Sequence, residues 1–320
     1  MRLPRPLCGI VPPLVTPLLD RDTLDGDGLE RLIEHVLAGG VHGVFVLGTT
    51  GEGPSLSHRL RRELVGRVTG QVRGRAAVLV GITDTAFVEA VALARHAAEA
   101  GADAVVLAPP YYMPEGQPEL REYLEHLLPE LPLPLFLYNM PPLTKVPFDL
   151  DTVRWALDQP GIVGMKDSSG DLAYFSRLCA LVPGRPEWTL LMGPEELLAA
   201  SIFAGGHGGV PGGANVFPRL YVALFEAARA GNLDRARDLQ ARVRAVAEKL
   251  YHVGKHPSAT IKGIKCAVAC LGLASDFMAE PFHRFREPER GRIREALEEL
   301  RSVVDPLSVA GRRRGTIDAG

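Results

Sequence analysis

The chain has 320 residues, 46% hydrophobic and 23% charged, ordinary values for a globular protein large enough for one substantial domain and an appendage. Basic side chains number 36 against 38 acidic ones, and the net charge of -2 gives no electrostatic footing for nucleic acid or a membrane surface. No apolar run reaches the roughly 18 residues of a membrane helix, the opening residues lack the order of a secretory signal, and four cysteines without a close framework point to a reducing cytoplasm.

From the N-terminus onward a short apolar run, a Gly-rich or polar loop and a helix of 3.6-residue period recur. The first run, Ile10 to Val15, carries two prolines. Its helix sets Leu29, Leu32, Ile33, Val36 and Leu37 on one face, with Asp27 as cap or first-turn residue. Val44 to Leu47 precedes a helix from about Ser57, and Val78 to Gly81 one over Thr85 to Ala100. Ala104 to Leu107 leads to a helix after Gly116, and Leu135 to Tyr138 to one from about Asp149. Ile162 to Met165 precedes a helix from Asp171, Leu190 to Met192 one from Glu195, and His207 to Val210 one from Phe217. Runs apolar on both faces belong to parallel strands buried on both sides. Eight such units predict a closed (β/α)8 TIM barrel over residues 1–230. A doubly wound sheet is the rival, but it often carries a Gly-rich phosphate turn after its first strand, which this chain lacks.

Past residue 230 the pattern is helical only: Leu233 to Tyr251, Ser258 to Leu271 and Glu287 to Val304 predict a C-terminal three-helix extension over 231–304. Residues 305–320, with Arg312, Arg313 and Arg314, read as a flexible solvated tail. Cys266 and Cys270 share a helix face, but no further ligands stand nearby, so they read as buried structural thiols rather than a metal site.

In such barrels the chemistry sits at the C-terminal ends of the strands. Of six lysines only Lys166 ends a strand-like run. Burial disfavours an ammonium, and a neutral amine there can attack a ketone carbon to form an imine that serves as an electron sink. A lysine merely paired with Asp167 or with a strand carbonyl fits its position equally well. Tyr138 ends the preceding strand, about 4.8 Å away in a parallel sheet, where a phenol can shuttle protons or simply be a core tyrosine. Gly48-Thr49-Thr50-Gly51-Glu52 offers backbone N–H groups and two hydroxyls for a carboxylate, or is a ligand-free turn. It lacks the Gly-Lys-Ser/Thr ending of a phosphate loop. Tyr111 and Tyr112, set among prolines, line a mouth or pack at an interface. Glu195 and Glu196 complement a helix dipole or touch substrate hydroxyls. His207, in a Gly loop, reads as structural.

Together these stretches resemble the dihydrodipicolinate synthase / N-acetylneuraminate lyase family of class I aldolases. The matching pieces are Gly48-Thr-Thr-Gly-Glu52, Pro110-Tyr-Tyr112, Tyr138-Asn-Met-Pro141, Gly164-Met-Lys-Asp-Ser-Ser-Gly170 and Gly205-Gly-His-Gly208, in family order from about Gly9 to Phe285. The resemblance implies that Lys166 is the Schiff-base lysine and Tyr138 the proton-relay tyrosine. It implies that Thr49 and Thr50, with Gly51, hold the keto-acid carboxylate, with Thr50 also in the hydroxyl relay. Tyr112 resembles the tyrosine that reaches into a neighbouring subunit's site, implying a homo-oligomer, a tetramer or dimer. Val210 matches a position whose carbonyl lies near the imine, Gly193 lines the pocket, and Glu195 and Glu196 match an acidic pair that binds sugar hydroxyls. Pyruvate is the implied small-molecule partner and no metal or other cofactor is implied.

Two departures narrow this. Dihydrodipicolinate synthases carry an arginine where Leu143 stands, and leucine cannot make its charge-assisted pair, worth roughly 1.5–3 kcal/mol. The hydroxyl-rich stretch of neuraminate lyases after the eighth strand reads Pro211-Gly212-Gly213 here. The expectation is an aldolase or lyase acting on a sugar-derived or hydroxylated 2-keto acid. The alternatives are a dehydratase using the same imine, dihydrodipicolinate synthase proper, disfavoured by Leu143, or a keto-acid-binding barrel without turnover.

Overall fold

The structure, a computed structural model, describes residues 3–304, so the predicted tail at 305–320 lies outside the described residues. Its strands are β1 (Gly9–Ile10), β2 (Gly43–Val46), β3 (Ala77–Gly81), β4 (Ala104–Leu107), β5 (Leu135–Asn139), β6 (Ile162–Asp167), β7 (Thr189–Met192) and β8 (Gly208–Gly209). All pair in parallel in the order β1-β8-β7-β6-β5-β4-β3-β2. A parallel bridge between Pro13 and Phe45 closes the ring between β1 and β2. The fold is therefore the (β/α)8 barrel expected from the alternation of runs and helices.

The helices are α1 (Gly26–Ala38), α2 (His58–Val72), α3 (Phe87–Glu99), α4 (Gln117–Leu127), α5 (Pro141–Thr144), α6 (Leu150–Leu157), α7 (Leu172–Leu181), α8 (Leu198–Phe203), α9 (Pro218–Arg229), α10 (Leu233–Tyr251), α11 (Ala259–Cys270) and α12 (Glu289–Val304). Side-chain caps mark several starts: Ser57, Asp149 and Asp171 each accept a backbone N–H from the first turn. At α1 the cap is Asp25, which accepts from Gly28 N at 2.9 Å, and Asp27 lies inside the first turn. Among the described residues no helix is long and apolar enough to cross a membrane.

Strand alternation divides the apolar residues into two cores. Val44, Val46, Leu135 and Leu137 face the helices, whereas Phe45, Leu79, Val106, Phe136 and Tyr138 fill the barrel. Gly164 admits the Phe136 ring into that interior: a Cβ there would lie 2.6 Å from the ring edge and from the Thr189 carbonyl.

Three expectations are corrected. The first run forms a strand only over Gly9–Ile10, because Pro12 and Pro13 have no N–H to give to a ladder. The last run shortens to Gly208–Gly209. The helix expected from Glu195 opens as a 3-10 turn over 195–197, and α8 follows. A short helix after β5, α5, was not anticipated, and Leu143 lies on it.

Candidate functional site

Register places the two central side chains together: Tyr138 on β5 pairs with Lys166 on β6, and Asn139 with Asp167. Successive residues of a strand face opposite sides, so Asp167 turns away from Lys166. Its carboxylate accepts from Asn139 Nδ2 at 2.8 Å and from Ser169 N and Oγ at 3.1 and 3.0 Å. Pairing of Lys166 with Asp167, the bland reading of that lysine, is thus not what the fold adopts.

Lys166 is 6% exposed. Its Nζ lies 4.1 Å from the centroid of the Tyr138 ring and 5.2 Å from that of Phe45. Both rings line a cavity of about 180 Å³ at the C-terminal ends of β2 to β5, together with Thr49 and Tyr111. Lys166 is not itself among the lining residues; its amine lies over the two rings that are.

The Tyr138 hydroxyl is the hub of the polar groups. It lies 3.1 Å from Thr49 Oγ1, and Lys166 and Ser168 stand close enough to favour its ionised form. Burial alone would raise the phenol's pKa, but the neighbouring Lys166 charge and these polar contacts outweigh it and hold the pKa below the usual tyrosine value. Of the two threonines it is Thr49 that meets Tyr138, while Thr50 is half-buried beside it. Ser168 was not singled out from the sequence. Gly193 makes room for it, since a Cβ at 193 would fall 1.9 Å from Ser168 Oγ.

The Thr49–Thr50 loop is held in an unusual shape. Leu47 and Glu52, at its two ends, adopt left-handed φ values of 60° and 57°. Each such non-glycine residue costs about 1–3 kcal/mol, tolerated where surroundings over-determine it. Here the constraint is visible: Thr16 Oγ1 donates to Gly51 O at 2.7 Å, and the Glu52 carboxylate accepts from Lys265 Nζ at 2.5 Å and from Ala279 N at 2.8 Å. Lys265 lies on α11, so the C-terminal helices reach into the barrel mouth and fasten the loop. Burial pushes the Lys265 ammonium down, with Glu52 opposing. Such a buried pair is weak evidence for net stability, but breaking it strands a charge. Lys265→Met should therefore cost about 3–5 kcal/mol in urea-induced unfolding, and a loss under about 1 kcal/mol would show that Glu52 does not depend on Lys265.

The remaining predicted residues divide. Val210 is buried in the barrel interior with Tyr138 and Phe45. Tyr112 projects outward, 83% exposed, next to Met113 at 73%. Glu195 and Glu196, expected to touch substrate hydroxyls, are placed differently from one another. Glu195 is buried and accepts from the Tyr251 hydroxyl at 2.8 Å, the Tyr221 hydroxyl and Gly213 N at 2.9 Å, and burial pushes its carboxyl up to about 7. It ties the turn after β8 to α9 and α10. Glu196 is exposed, and neither acid lines the cavity. His207 Nδ1 lies 3.0 Å from Leu190 N, a backbone contact in keeping with a structural role. All four cysteines are free thiols, and no group of three or more His, Cys, Asp or Glu among the described residues is placed to hold a metal ion.

Residues 6–300 match the model of the dihydrodipicolinate synthetase family. A 4-hydroxy-tetrahydrodipicolinate synthase of Methanopyrus kandleri is 32% identical over 294 residues, 91% of this chain and 96% of the relative. An uncharacterized DapA-like lyase of Halobacterium salinarum is 33% identical over 297 residues, 93% and 95% of the two chains. Among solved structures, a dihydrodipicolinate synthase from Bacteroides thetaiotaomicron superposes with a TM-score of 0.90 at 53% identity, covering 93% of this chain and 100% of that one. A prophage protein of the dihydrodipicolinic acid synthase family from E. coli K12, solved in complex with pyruvate, gives 0.87 at 28% identity, covering 92% and 98%.

Proposed function

Because the chain belongs to the dihydrodipicolinate synthetase family, whose members are class I, pyruvate-dependent carbon-carbon lyases working through a lysine Schiff base without a metal, we propose that it makes or cleaves a 4-hydroxy-2-keto acid with pyruvate as donor or product. The observation that carries this reading is the register pair Tyr138–Lys166, which puts a buried amine beside a phenol at the wall of the barrel-mouth cavity.

In the synthetic direction Lys166 Nζ attacks C2 of pyruvate, and loss of water gives the protonated imine. Removal of a C3 proton gives the enamine, whose C3 attacks the aldehyde carbon while the aldehyde oxygen takes a proton. Water then hydrolyses the imine, releasing the product and the free amine. Tyr138, in contact with Thr49, Lys166 and Ser168, is the group placed to carry these protons. Thr49, Thr50 and Gly51 hold the carboxylate through hydroxyls and backbone N–H groups. Val210 and Gly193 border the imine, Gly193 by leaving space for Ser168.

The chain works as a homo-oligomer, tetramer or dimer, with Tyr112 reaching a neighbouring subunit; its outward aromatic side chain supports this. Four free thiols support a reducing cytoplasm. Dihydrodipicolinate synthesis proper is opposed by Leu143, which stands at the cavity rim where those synthases have an arginine. Against the sugar-hydroxyl variant of the reading stands Glu195, whose carboxylate accepts from two tyrosine hydroxyls, whereas Glu196 faces solvent.

Borohydride reduction in the presence of pyruvate, followed by peptide mass mapping, tests the reading. A pyruvyl adduct on the Lys166 peptide is expected. An adduct confined to another lysine, or none, would remove the mechanism.

A further inference from the structure

The loop that carries Thr49, Thr50 and Gly51 is fixed from outside the barrel. We propose that Lys265, on the C-terminal helix α11, is a positioning residue for the keto-acid carboxylate: through Glu52 it holds the threonine loop in its binding shape and so sets the affinity for pyruvate. This rests on the Schiff-base reading above and adds the C-terminal extension to its site.

Consecutive residues of α11 engage two loops of the barrel mouth. Ile264 packs on the turn after β8, where a Cβ on Gly212 would lie 2.7 Å from its Cδ1. Lys265 reaches the loop after β2, with Nζ 2.5 Å from Glu52 Oε2. The two charged side chains are buried, 0% and 1% exposed. The other Glu52 oxygen accepts from Ala279 N at 2.8 Å, so the segment after α11 holds the same carboxylate. The helix is itself seated closely on α10, since a Cβ at Gly263 would fall 2.0 Å from the Leu250 carbonyl oxygen. The ammonium is therefore presented from a fixed platform.

What the pair fixes is a strained turn, left-handed at both Leu47 and Glu52. The Leu47 end is held by close backbone packing: a Cβ on Gly53 or Gly81 would lie 2.1 or 2.6 Å from the Leu47 carbonyl oxygen. At the other end the Glu52 side chain ties the turn to the C-terminal helices. If Glu52 swung away, the Lys265 ammonium would lose its contact carboxylate in a dry interior, which costs far more than a neutral hydrogen bond. Asp276, the other acid near it, is already met by Arg284 and Arg290. Glu52 N donates to Thr49 O at 3.0 Å, and Gly53 N to Gly48 O at 3.2 Å, so a shift at Glu52 passes directly to the threonines. Donors that hold the carboxylate before and during the reaction bind ground state and transition state alike, so loosening them weakens pyruvate binding more than it slows the chemical step.

The test uses the full chain and two variants, Lys265→Met and Glu52→Gln/Lys265→Met. The double variant strands no charge, and a buried ion pair replaced by neutral groups of similar size is tolerated, so it decides the matter if the single variant folds poorly. With native structure checked by circular dichroism, borohydride trapping on Lys166 is followed against pyruvate concentration. Trapping is also followed with excess acetone, a ketone that has no carboxylate. Half-saturating pyruvate should rise by about 10-fold or more in both variants, the scale of a lost hydrogen bond to a charged group. The maximal trapping rate and the acetone rate should each stay within about 3-fold of wild type, as expected for lost uniform binding. Wild-type half-saturation in the double variant overturns the proposal. So does an equal loss with pyruvate and acetone, which would make the pair a support of the whole barrel rather than of the carboxylate loop. A wild-type chain that traps no pyruvate on Lys166 instead removes the Schiff-base reading, and this inference with it.

Discussion

Lys166→Ala should abolish turnover, with kcat reduced by about 10³-fold or more and no borohydride-trapped pyruvate, while the variant stays folded by circular dichroism. The size follows from the role: a covalent nucleophile has no substitute, and the other groups can only assist a bond that no longer forms. The decisive companion is Lys166→Arg. A guanidinium keeps the positive charge beside the Tyr138 and Phe45 rings but stays protonated and cannot attack a ketone. Both variants should therefore be equally dead. If Lys166→Arg kept a tenth or more of wild-type turnover, the lysine would be an electrostatic anchor and the imine chemistry would have to be abandoned. Loss of structure is not expected to confuse the result, because Asp167, the adjacent charge, is bound by Asn139 and Ser169 rather than by Lys166.

What the sequence made legible was set by distance along the chain. The barrel could be read because each strand announces itself locally, as a run apolar on both faces, and each helix through its own cap and periodicity. The short strands at the seam were overestimated because Pro12 and Pro13 interrupt the ladder while still letting the Pro13–Phe45 bridge close it. The Lys166–Tyr138 pair was legible because both residues end neighbouring strands, and register alone brings them together. The roles of the acids were not. Glu195 is defined by Tyr221 and Tyr251, 26 and 56 residues further on, and a first-turn glutamate looks the same whether its partner is a tyrosine or a sugar. Lys265 was one unremarked lysine, since the group that gives it meaning, Glu52, is 213 residues away. Of the two threonines the sequence reading gave Thr50 the relay, whereas the contact with Tyr138 falls to Thr49, since the loop is bent by left-handed Leu47 and Glu52, a conformation that no residue type there advertises.

Tyr138→Phe should lower kcat by about 10²-fold or more, the usual worth of a positioned proton-transfer group, with pyruvate still trapped on Lys166 at a reduced rate. The ring is retained, so its edge-to-face contact with Phe45, at 6.3 Å between centroids, survives and the cavity wall keeps its form. Only the hydroxyl is lost, and with it the meeting point of Thr49, Lys166 and Ser168. Two further measurements separate proton transfer from mere packing. The pH profile of kcat/KM reports the free enzyme. Since the Lys166 charge and the hydrogen bonds hold the phenol below its ordinary pKa despite burial, the wild-type profile should show a limb below about pH 10. That limb should vanish in Tyr138→Phe. Thr49→Val, which removes one of the hydroxyl's partners while leaving the phenol, should weaken turnover in the same direction but less. A Tyr138→Phe enzyme with wild-type kcat would leave the 3.1 Å contact with Thr49 a structural one and require the protons to travel by another route.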